Sequence, residues 1–426
     1  MTGAPAPLPF LPGPMPDRET WEGWTRWRLA RGAFEPAPRV SAAEHARMGR
    51  RQQRLHDLHR TATHANLKIL DTPMSRSVTQ AMLPLVDNNA LYHGPDTRPG
   101  LMISGGACQG KTETVCEALA CWEEEWRAMY GEDPGAAAGT LDQHVPVAYV
   151  RTPVLATPIS ACQRILHFFG EDYKGMGLEA LLRTVKDAVY DHPTKALVID
   201  DITRLKMHRE RDQDVLDLIR ELMSLPLTLV LVGAGIAKSG LLRDGRRDPE
   251  TGQWLIPPVR DRGRSRNDDA PGQTDLRFDP VNLNRFLYST QAHKDAWADH
   301  LAGVEEQLRL LRARDGMLSD PDMAGHLFDR TRGIVGLLRK LIQMACSRAM
   351  ETGCEEITID LLDTLVIRKE DLPGLDPGSG EVPDIPRCPA ASPEGPATRS
   401  STTGASPPAR QRAERCPARP GPWAGA

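Results

Sequence analysis

Apolar and polar residues alternate through the middle of the chain in the rhythm of strands separated by helices. Short apolar runs predict strands at 101–104, 145–150, 196–199 and 227–232. Amphipathic stretches of helical period separate them, running from the Gly-rich segment through Trp126 and then over 159–169, 178–190 and 212–223. This alternation predicts an α/β fold, with a parallel sheet covered by helices on both faces.

Helices are also predicted on either side of this region. One over 17–32 carries a stripe of Trp21, Trp24 and Trp27. That helix either docks on its own protein or serves as a partner-binding arm, because exposed aromatic residues are common interface anchors. After the strand-containing region, 291–365 is again mostly helical, in three or four segments.

A further helix is predicted from a capping box, Ser41-Ala-Ala-Glu44, to about Ala65. Its basic residues are Arg47, Arg50, Arg51, Arg54 and Arg60, against only Glu44 and Asp57. A solvated helix face explains such a cluster, and a DNA-facing basic surface is the alternative.

The bulk composition is that of a globular protein. The chain has 426 residues, 40% of them hydrophobic and 26% charged, with a net charge of -4. A mild negative charge does not exclude nucleic-acid binding, because a local basic surface is sufficient. No apolar run reaches the roughly 18 residues that cross a bilayer. None of the 8 cysteines has C-x-x-C spacing, and a chain of this size does not need disulfides, so we expect reduced thiols. Reduced thiols and the lack of a long apolar run together predict no membrane partner and a cytoplasmic location.

The segment after the first strand has the spacing G-x4-G-K-T and opens a helix, which is the context of a phosphate-binding loop. Glycines let successive backbone N–H groups point at phosphate oxygens, and the helix N-terminus adds partial positive charge. Lys111 is predicted to reach the β- and γ-phosphates of ATP, and the Thr112 hydroxyl to ligate Mg²⁺. The predicted ATP-binding residues are Gly105, Gly106, Ala107, Cys108, Gln109, Gly110, Lys111 and Thr112.

The third predicted strand, at 196–199, ends in two acids, Asp200 and Asp201. Asp200 is predicted to lie beside the metal, and Asp201 to orient or deprotonate the attacking water. The second acid, and the strand at 145–150 between this element and the loop, favour an ATPase over a GTPase or a small-molecule kinase.

Two departures from the usual pattern predict slow ATP hydrolysis. Most ATPases of this kind carry Glu where this chain has Asp201, and the Asp side chain is one methylene shorter. The strand at 227–232 also continues into Gly233-Ala-Gly235, without the Asn, Thr or Ser that usually senses the γ-phosphate.

Over about 60–365 the chain resembles the TniB/TnsC group of AAA+ transposition ATPases. The specific parts are Tyr-Val-Arg-Thr-Pro at 149–153 and Gly-Ile-Val-Gly-Leu-Leu at 333–338. The resemblance implies an AAA+ core with a small helical lid and ATP-dependent assembly, as a ring or filament, on double-stranded DNA. It also implies delivery of a DDE transposase or integrase to the target, and we expect the DNA contacts to fall mainly on the phosphate backbone.

The resemblance also suggests roles for two arginines. Arg285 occupies the position of an arginine that acts on the ATP of a neighbouring subunit. The family usually has a nucleotide-sensing arginine in the lid, three residues after a glycine of the lid motif. If that glycine is Gly333, the position falls on Gly336; if it is Gly336, the position falls on Arg339. We favour Arg339.

These observations predict five segments: a flexible leader with the Trp-rich helix (1–40), a helical segment (41–96), an ATPase core (97–290) with an insertion loop (243–280), a helical lid (291–372) and a disordered tail (373–426). The leading hypothesis is a slow, DNA-stimulated ATPase that regulates DNA transposition. A nucleotide-switched signalling or defence ATPase and a small-molecule kinase are alternatives, although no sensor repeat array is visible.

Overall fold

The computed structural model describes residues 10–11, 13–130, 144–153, 156–204, 212–236, 246–247, 254–255 and 275–367. Its strands are β1 (Gly100–Ser104), β2 (Val147–Arg151), β3 (Ala196–Asp200), β4 (Thr228–Gly233), β5 (Arg246–Arg247), β6 (Trp254–Leu255) and β7 (Phe278–Asn282). Five of them form a parallel sheet in the order β2-β3-β4-β1-β7, and β5 and β6 form a separate antiparallel pair. The parallel sheet predicted from the sequence is therefore confirmed.

Strand burial explains why the sequence pattern identified four of the five strands. β3 and β4 are buried along their whole length, as expected for central strands covered on both faces. The edge strand β7 was missed, because only Phe278 of its five residues is buried and it contains Pro280. Edge strands tolerate polar residues and proline, since one side has no neighbouring strand. The predicted insertion loop is thus wrong at its end, where 278–280 begin β7; most of 243–280 lies outside the described residues.

Eight helices precede or cover the sheet: α1 (Trp21–Ala30), α2 (Ala42–Arg47), α3 (Arg50–Ala65), α4 (Pro73–Leu91), α5 (Lys111–Tyr130), α6 (Pro158–Phe169), α7 (Leu178–Asp191) and α8 (Asp212–Met223). Helix α4 packs on α5, while α6 packs on α7 and α8. The chain moves along the sheet in opposite directions before and after β2, so right-handed crossovers place α5 and the α6–α8 group on opposite faces.

The helix predicted over 41–65 is two helices. The Ser41 capping box is present, but Met48 and Gly49 are extended, with ψ of 145° and 151°. The Gln53 amide donates to the His45 carbonyl oxygen at 2.9 Å. The same oxygen accepts the Met48 N–H at 3.1 Å, so the Gln53 amide is a second donor at the end of α2 and stabilises the break.

Four helices follow the sheet: α9 (Gln291–Gln307), α10 (Pro321–Thr331), α11 (Val335–Thr352) and α12 (Ile359–Asp363). They enclose an apolar cluster around Trp297, to which Leu67 also contributes. A larger cluster surrounds the sheet and includes Trp24 and Trp27, so the Trp-rich helix docks on its own protein. The five segment boundaries stay predictions, and the tail at 373–426 lies outside the described residues. Within the described residues, no helix is long and apolar enough to span a membrane.

Candidate nucleotide site

The phosphate-binding loop lies at the carboxyl end of β1, between β4 and β7 in the sheet. The connections that follow β1 and its neighbour β4 run to opposite edges of the sheet, and open α/β sheets bind ligands at such a switch point. Cys108 and Gly110 adopt positive φ angles of 57° and 83°, which curl the backbone. The Gly106 N–H donates to Gln109 Oε1 at 2.6 Å and fixes the loop.

Lys111 lies at the start of α5 and extends back over the loop. Its ammonium group donates to the carbonyl oxygens of Gly105 at 3.1 Å and Gly106 at 2.8 Å. Gly105 has no room for a side chain, because a Cβ atom would lie 2.4 Å from the Leu283 carbonyl oxygen. The curled backbone, the lysine and the helix N-terminus therefore lie together at the loop, and their binding of phosphate stays a prediction.

The predicted metal-side residues meet beside this loop. The Thr112 hydroxyl donates to Asp200 Oδ2 at 2.7 Å, and the Asp201 N–H donates to Asp200 Oδ1 at 2.8 Å. A third donor, the Tyr149 hydroxyl, reaches Asp200 Oδ2 at 2.9 Å. Asp200 is 2% exposed, and these bonds satisfy a carboxylate that would otherwise be costly to bury.

The residues fit ATP with Mg²⁺. Thr112 and Asp200 offer adjacent oxygen ligands, which a hard cation such as Mg²⁺ prefers. Lys111 and the loop amides would hold the phosphates, and the bound cation would offset charge that develops on phosphate oxygens. The assignment of each residue to its role stays a prediction.

Asp201 lies at the exit of β3 in a strained conformation. Its φ is 53°, in the left-handed region, and its carboxylate pairs with Arg204 at 2.9 Å across a turn of 3-10 helix. Gly233 packs against that turn: a Cβ there would lie 3.2 Å from Ile202 and 3.3 Å from Thr203. The tight packing gives a physical reason for glycine at the end of β4, where a polar sensor residue usually lies.

Two lid glycines make close backbone contacts: Gly336 with the phosphate-binding loop, and Gly333 with Phe286 after β7. The Phe286 N–H donates to the Gly333 carbonyl oxygen, and the Gly336 N–H donates to the Cys108 carbonyl oxygen, both at 2.9 Å. Neither glycine has room for a side chain: a Cβ on Gly333 would lie 2.4 Å from the Phe286 carbonyl oxygen, and one on Gly336 would lie 2.7 Å from that of Cys108. The lid motif thus serves close backbone contact.

The two predicted arginines lie in different surroundings. Arg339 is exposed on α11, and its guanidinium donates to the Ala65 carbonyl oxygen at 3.1 Å. Arg285 is half-buried between β7 and the lid, and its guanidinium has no hydrogen-bond or ion-pair partner among the residues that the structure describes. The geometry leaves the sensor register and the Arg285 role as predictions.

A cavity of ≈ 320 Å³ adjoins the loop on its lid side. Cys108, Gln109 and Gly110 contribute to its lining, and Val335, Leu338 and Arg339 line it from the lid. Residues within 67–75, from the connection between α3 and α4 and the first turn of α4, also line the cavity. A largely apolar cavity next to a phosphate site suits a nucleoside. The contribution of 67–75 to this cavity could not be predicted, because no local sequence pattern marks a segment that lines a pocket with residues far away in the chain.

Residues 17–31, here called the N-terminal arm, also contact the site, and no pattern in the sequence indicates these contacts. Arg18 donates to both carboxylate oxygens of Glu113, at 2.9 and 3.2 Å, on the first turn of α5. Its guanidinium lies 5.5 Å from the centre of the Tyr149 ring. Burial and the nearby Asp200 carboxylate raise the pKa of Tyr149, so its hydroxyl stays protonated and can donate.

Comparisons with known proteins give one family match and distantly similar solved structures. Residues 96–238 match the family model described as AAA domain, and the match contains both the loop and Asp200-Asp201. No curated protein matches the sequence. Similar solved structures include the ORC1 protein of Aeropyrum pernix in complex with DNA, at 14% identity and a TM-score of 0.47, covering 71% of this chain and 68% of that one. The Thermotoga maritima RuvB Holliday junction branch migration motor has 13% identity and a TM-score of 0.35, with 69% and 68% covered.

The strand order, the loop and the acidic strand end agree with the family match. The match also supports ATPase activity. Residues 96–238 therefore resemble an AAA domain, and the parallel sheet with its phosphate-binding loop has a P-loop AAA+ fold.

Proposed function

We propose that the protein is an ATP-dependent regulator of DNA transposition. It assembles on double-stranded DNA as a ring or filament, recruits or activates a DDE transposase at the target, and hydrolyses ATP slowly. The carrying observation is that both segments responsible for the family resemblance contact the nucleotide site. Tyr149 bonds to Asp200, the Thr152 N–H donates to the Asp200 carbonyl oxygen at 2.9 Å, and Gly336 bonds to the loop at Cys108.

These contacts support a protein whose assembly follows its nucleotide state. Bound ATP would change the environment of Asp200 and of the loop, and each is bonded directly to a neighbouring element. The second strand and the lid would respond together, which is what a nucleotide-timed assembly factor requires. Arg285, which lacks a partner within the described part of this chain, would act on the ATP of an adjacent subunit.

A stripe of arginines on α2 and α3 supports DNA as the partner. The stripe consists of Arg47 at the end of α2 and of Arg50, Arg51 and Arg54 on α3, where Arg54 lies four residues after Arg50 and three after Arg51; all four are exposed. None has an ion-pair or hydrogen-bond partner among the described residues. Arg60, in contrast, is buried against Glu355 at 2.7 Å. Unpaired exposed arginines at this spacing favour phosphate contacts that are independent of base sequence.

The test is a DNA-binding titration over a range of salt concentrations, with ATP analogue present. We expect wild-type affinity to fall steeply with salt, since each phosphate contact adds about -0.9 to the log–log slope. Replacing Arg50, Arg51 and Arg54 together with glutamine should reduce that slope by about 2 to 3. The matched control replaces three exposed arginines that pair with acids: Arg76, Arg183 and Arg348.

The outcomes distinguish a failure of the proposed DNA binding from an error in the proposed DNA-binding surface. Wild-type affinity that is flat between low and physiological salt would contradict DNA binding through phosphates. Steep wild-type binding with an unchanged triple variant would place the DNA elsewhere on the protein. Imaging with DNA and a non-hydrolysable ATP analogue should show rings or filaments. Monomers together with DNA-independent ATPase activity would instead favour a signalling or defence ATPase.

A further inference from the structure

We propose that Tyr149 is a positioning residue of the Mg²⁺ site, which fixes the Asp200 carboxylate and thereby sets the Mg²⁺ dependence of nucleotide binding. The inference rests on the ATP-binding part of the proposed function and is independent of DNA or transposase. Neither the phosphate-binding loop nor the acidic strand end includes Tyr149.

Three donors hold the Asp200 carboxylate, and Tyr149 is the one from outside the two motifs. The hydroxyls of Thr112 and Tyr149 approach the same oxygen, Oδ2, at 2.7 and 2.9 Å. The Asp201 N–H holds Oδ1. A carboxylate with both oxygens engaged has a fixed orientation, whereas loss of Tyr149 leaves Oδ2 with only the Thr112 hydroxyl. Because Thr112 is itself a predicted Mg²⁺ ligand, Tyr149 is the described donor that restrains Oδ2 without competing as a ligand.

Strand register brings the tyrosine to this position. β2 pairs with β3 in parallel, and Tyr149 lies opposite Val198. Side chains two residues apart on a strand point to the same face, so Tyr149 shares the face of both Val198 and Asp200. A tyrosine is long enough to bridge the diagonal to Asp200, and its hydroxyl lies at the end of that reach.

The Tyr149 ring is held from outside the sheet by the N-terminal arm. It stacks with Trp24 at 6.3 Å between ring centres, with 17° between the planes. Arg18 lies over the same ring and is anchored to Glu113. The ring is 1% exposed, so its hydroxyl has little freedom to leave Asp200. The arm therefore restrains the metal-side carboxylate through Tyr149.

Groups that orient a metal-binding carboxylate commonly change metal affinity by roughly 10- to 100-fold when they are removed. Tyr149→Phe keeps the ring and its stacking on Trp24 but removes the hydroxyl. The expected result is a selective loss: nucleotide binding without Mg²⁺ stays the same, while more Mg²⁺ is needed to reach full affinity.

The experiment measures binding of a fluorescent ATP analogue to the full chain, first in EDTA and then across a Mg²⁺ titration. For Tyr149→Phe we expect EDTA affinity within about twofold of wild type and a half-saturating Mg²⁺ concentration raised by about tenfold. The matched control is Tyr92→Phe, which removes a hydroxyl that donates to Asp96 at 2.7 Å on the surface. The control should follow the wild-type curve in both conditions.

Each other outcome is decisive. An unchanged or lowered half-saturating Mg²⁺ concentration, with normal EDTA affinity, would overturn the positioning role. Loss of binding in EDTA as well would show that Tyr149 supports the fold of the pocket, and would also overturn it. A wild-type chain without Mg²⁺-dependent nucleotide binding would refute the ATPase function itself, a failure that is distinguishable because it precedes any substitution.

Discussion

The backbone N–H of Gly336, in the first turn of α11, donates to the carbonyl oxygen of Cys108 in the phosphate-binding loop at 2.9 Å. Cys108 has a left-handed φ of 57°, a conformation that a non-glycine residue adopts only where its surroundings require it. The bond from Gly336 is one such restraint. Lid and loop are therefore joined through the main chain, at a point where neither partner tolerates much displacement.

Gly336→Ala should weaken ATP binding by about tenfold or more, because the new Cβ would lie 2.7 Å from the Cys108 carbonyl oxygen and force loop and lid apart. The matched control is Gly325→Ala in α10, where the nearest described atom would be the Tyr288 hydroxyl at 3.6 Å. Isothermal titration calorimetry with ATP measures both variants. Equal affinities for the two would show that the lid contact does not influence the site.

Asp201→Asn should lower the ATPase rate by about 100-fold while leaving ATP affinity unchanged, if Asp201 orients or deprotonates the attacking water. Asparagine tolerates the left-handed φ of 53° at this position, so the substitution removes charge without imposing backbone strain. The control is Asp217→Asn, which also breaks an aspartate–arginine pair three residues apart, at 3.0 Å. A steady-state phosphate-release assay decides, and an unchanged rate for Asp201→Asn would exclude it as the base.

Glu123→Ala should destabilise the protein by about 3 to 5 kcal/mol, because it removes the acid from a buried ion pair. Glu123 is fully buried and accepts hydrogen bonds from Trp24 Nε1 and from Arg127 Nε, both at 2.6 Å. Its neighbour Glu124 is exposed and pairs with Arg31, so Glu124→Ala should cost less than about 1 kcal/mol. Urea unfolding measures both, and similar losses for the two would argue against the arm's contribution to stability.

Stability should fall on acidification between about pH 6.5 and pH 4. Burial lowers the pKa of His64 to about 4, below its ordinary value of 6.5, and burial does the same for His300. The unfolded chain then binds more protons than the folded one in this window, so the contribution is present above pH 6.5 and is lost as pH falls. Denaturant unfolding at several pH values gives the slope.

His64→Gln should reduce the slope of the unfolding free energy against pH by the contribution of one histidine. Glutamine can accept the hydrogen bond that the Arg309 N–H now donates to His64 Nε2 at 2.9 Å, so the fold has a substitute partner. A slope equal to that of wild type would show that His64 does not titrate differently in the two states.

Local patterns were sufficient for the central strands and for the two nucleotide motifs. The loop from Gly105 to Thr112 and the acids at 200–201 each lie within one strand and its exit, so spacing alone identifies them. Parallel pairing then brings them together, because the carboxyl ends of parallel strands share one edge of the sheet.

What the sequence could not predict depends on long-range contacts. The bond between Tyr149 and Asp200 requires knowing that β2 and β3 are neighbours and in which register. The salt bridge of Arg18 with Glu113 has no sequence pattern, since its partners lie 95 residues apart. The break at Gly49 and the edge strand around Pro280 were missed for a different reason. In both, contacts made in the folded protein override the local sequence preference: the Gln53–His45 bond at the break, and pairing with β1 at the edge strand.

The N-terminal arm also sets a constraint on synthesis. Trp24 and the carboxylate that receives its indole N–H are 99 residues apart in the chain. At ribosomal rates, Glu123 is synthesised roughly 5 to 20 s after Trp24. During that interval two large aromatic side chains have no surface to cover them, so the nascent chain is open to chaperones and to aggregation. Helix α1 is thus made well before the surface on which it docks.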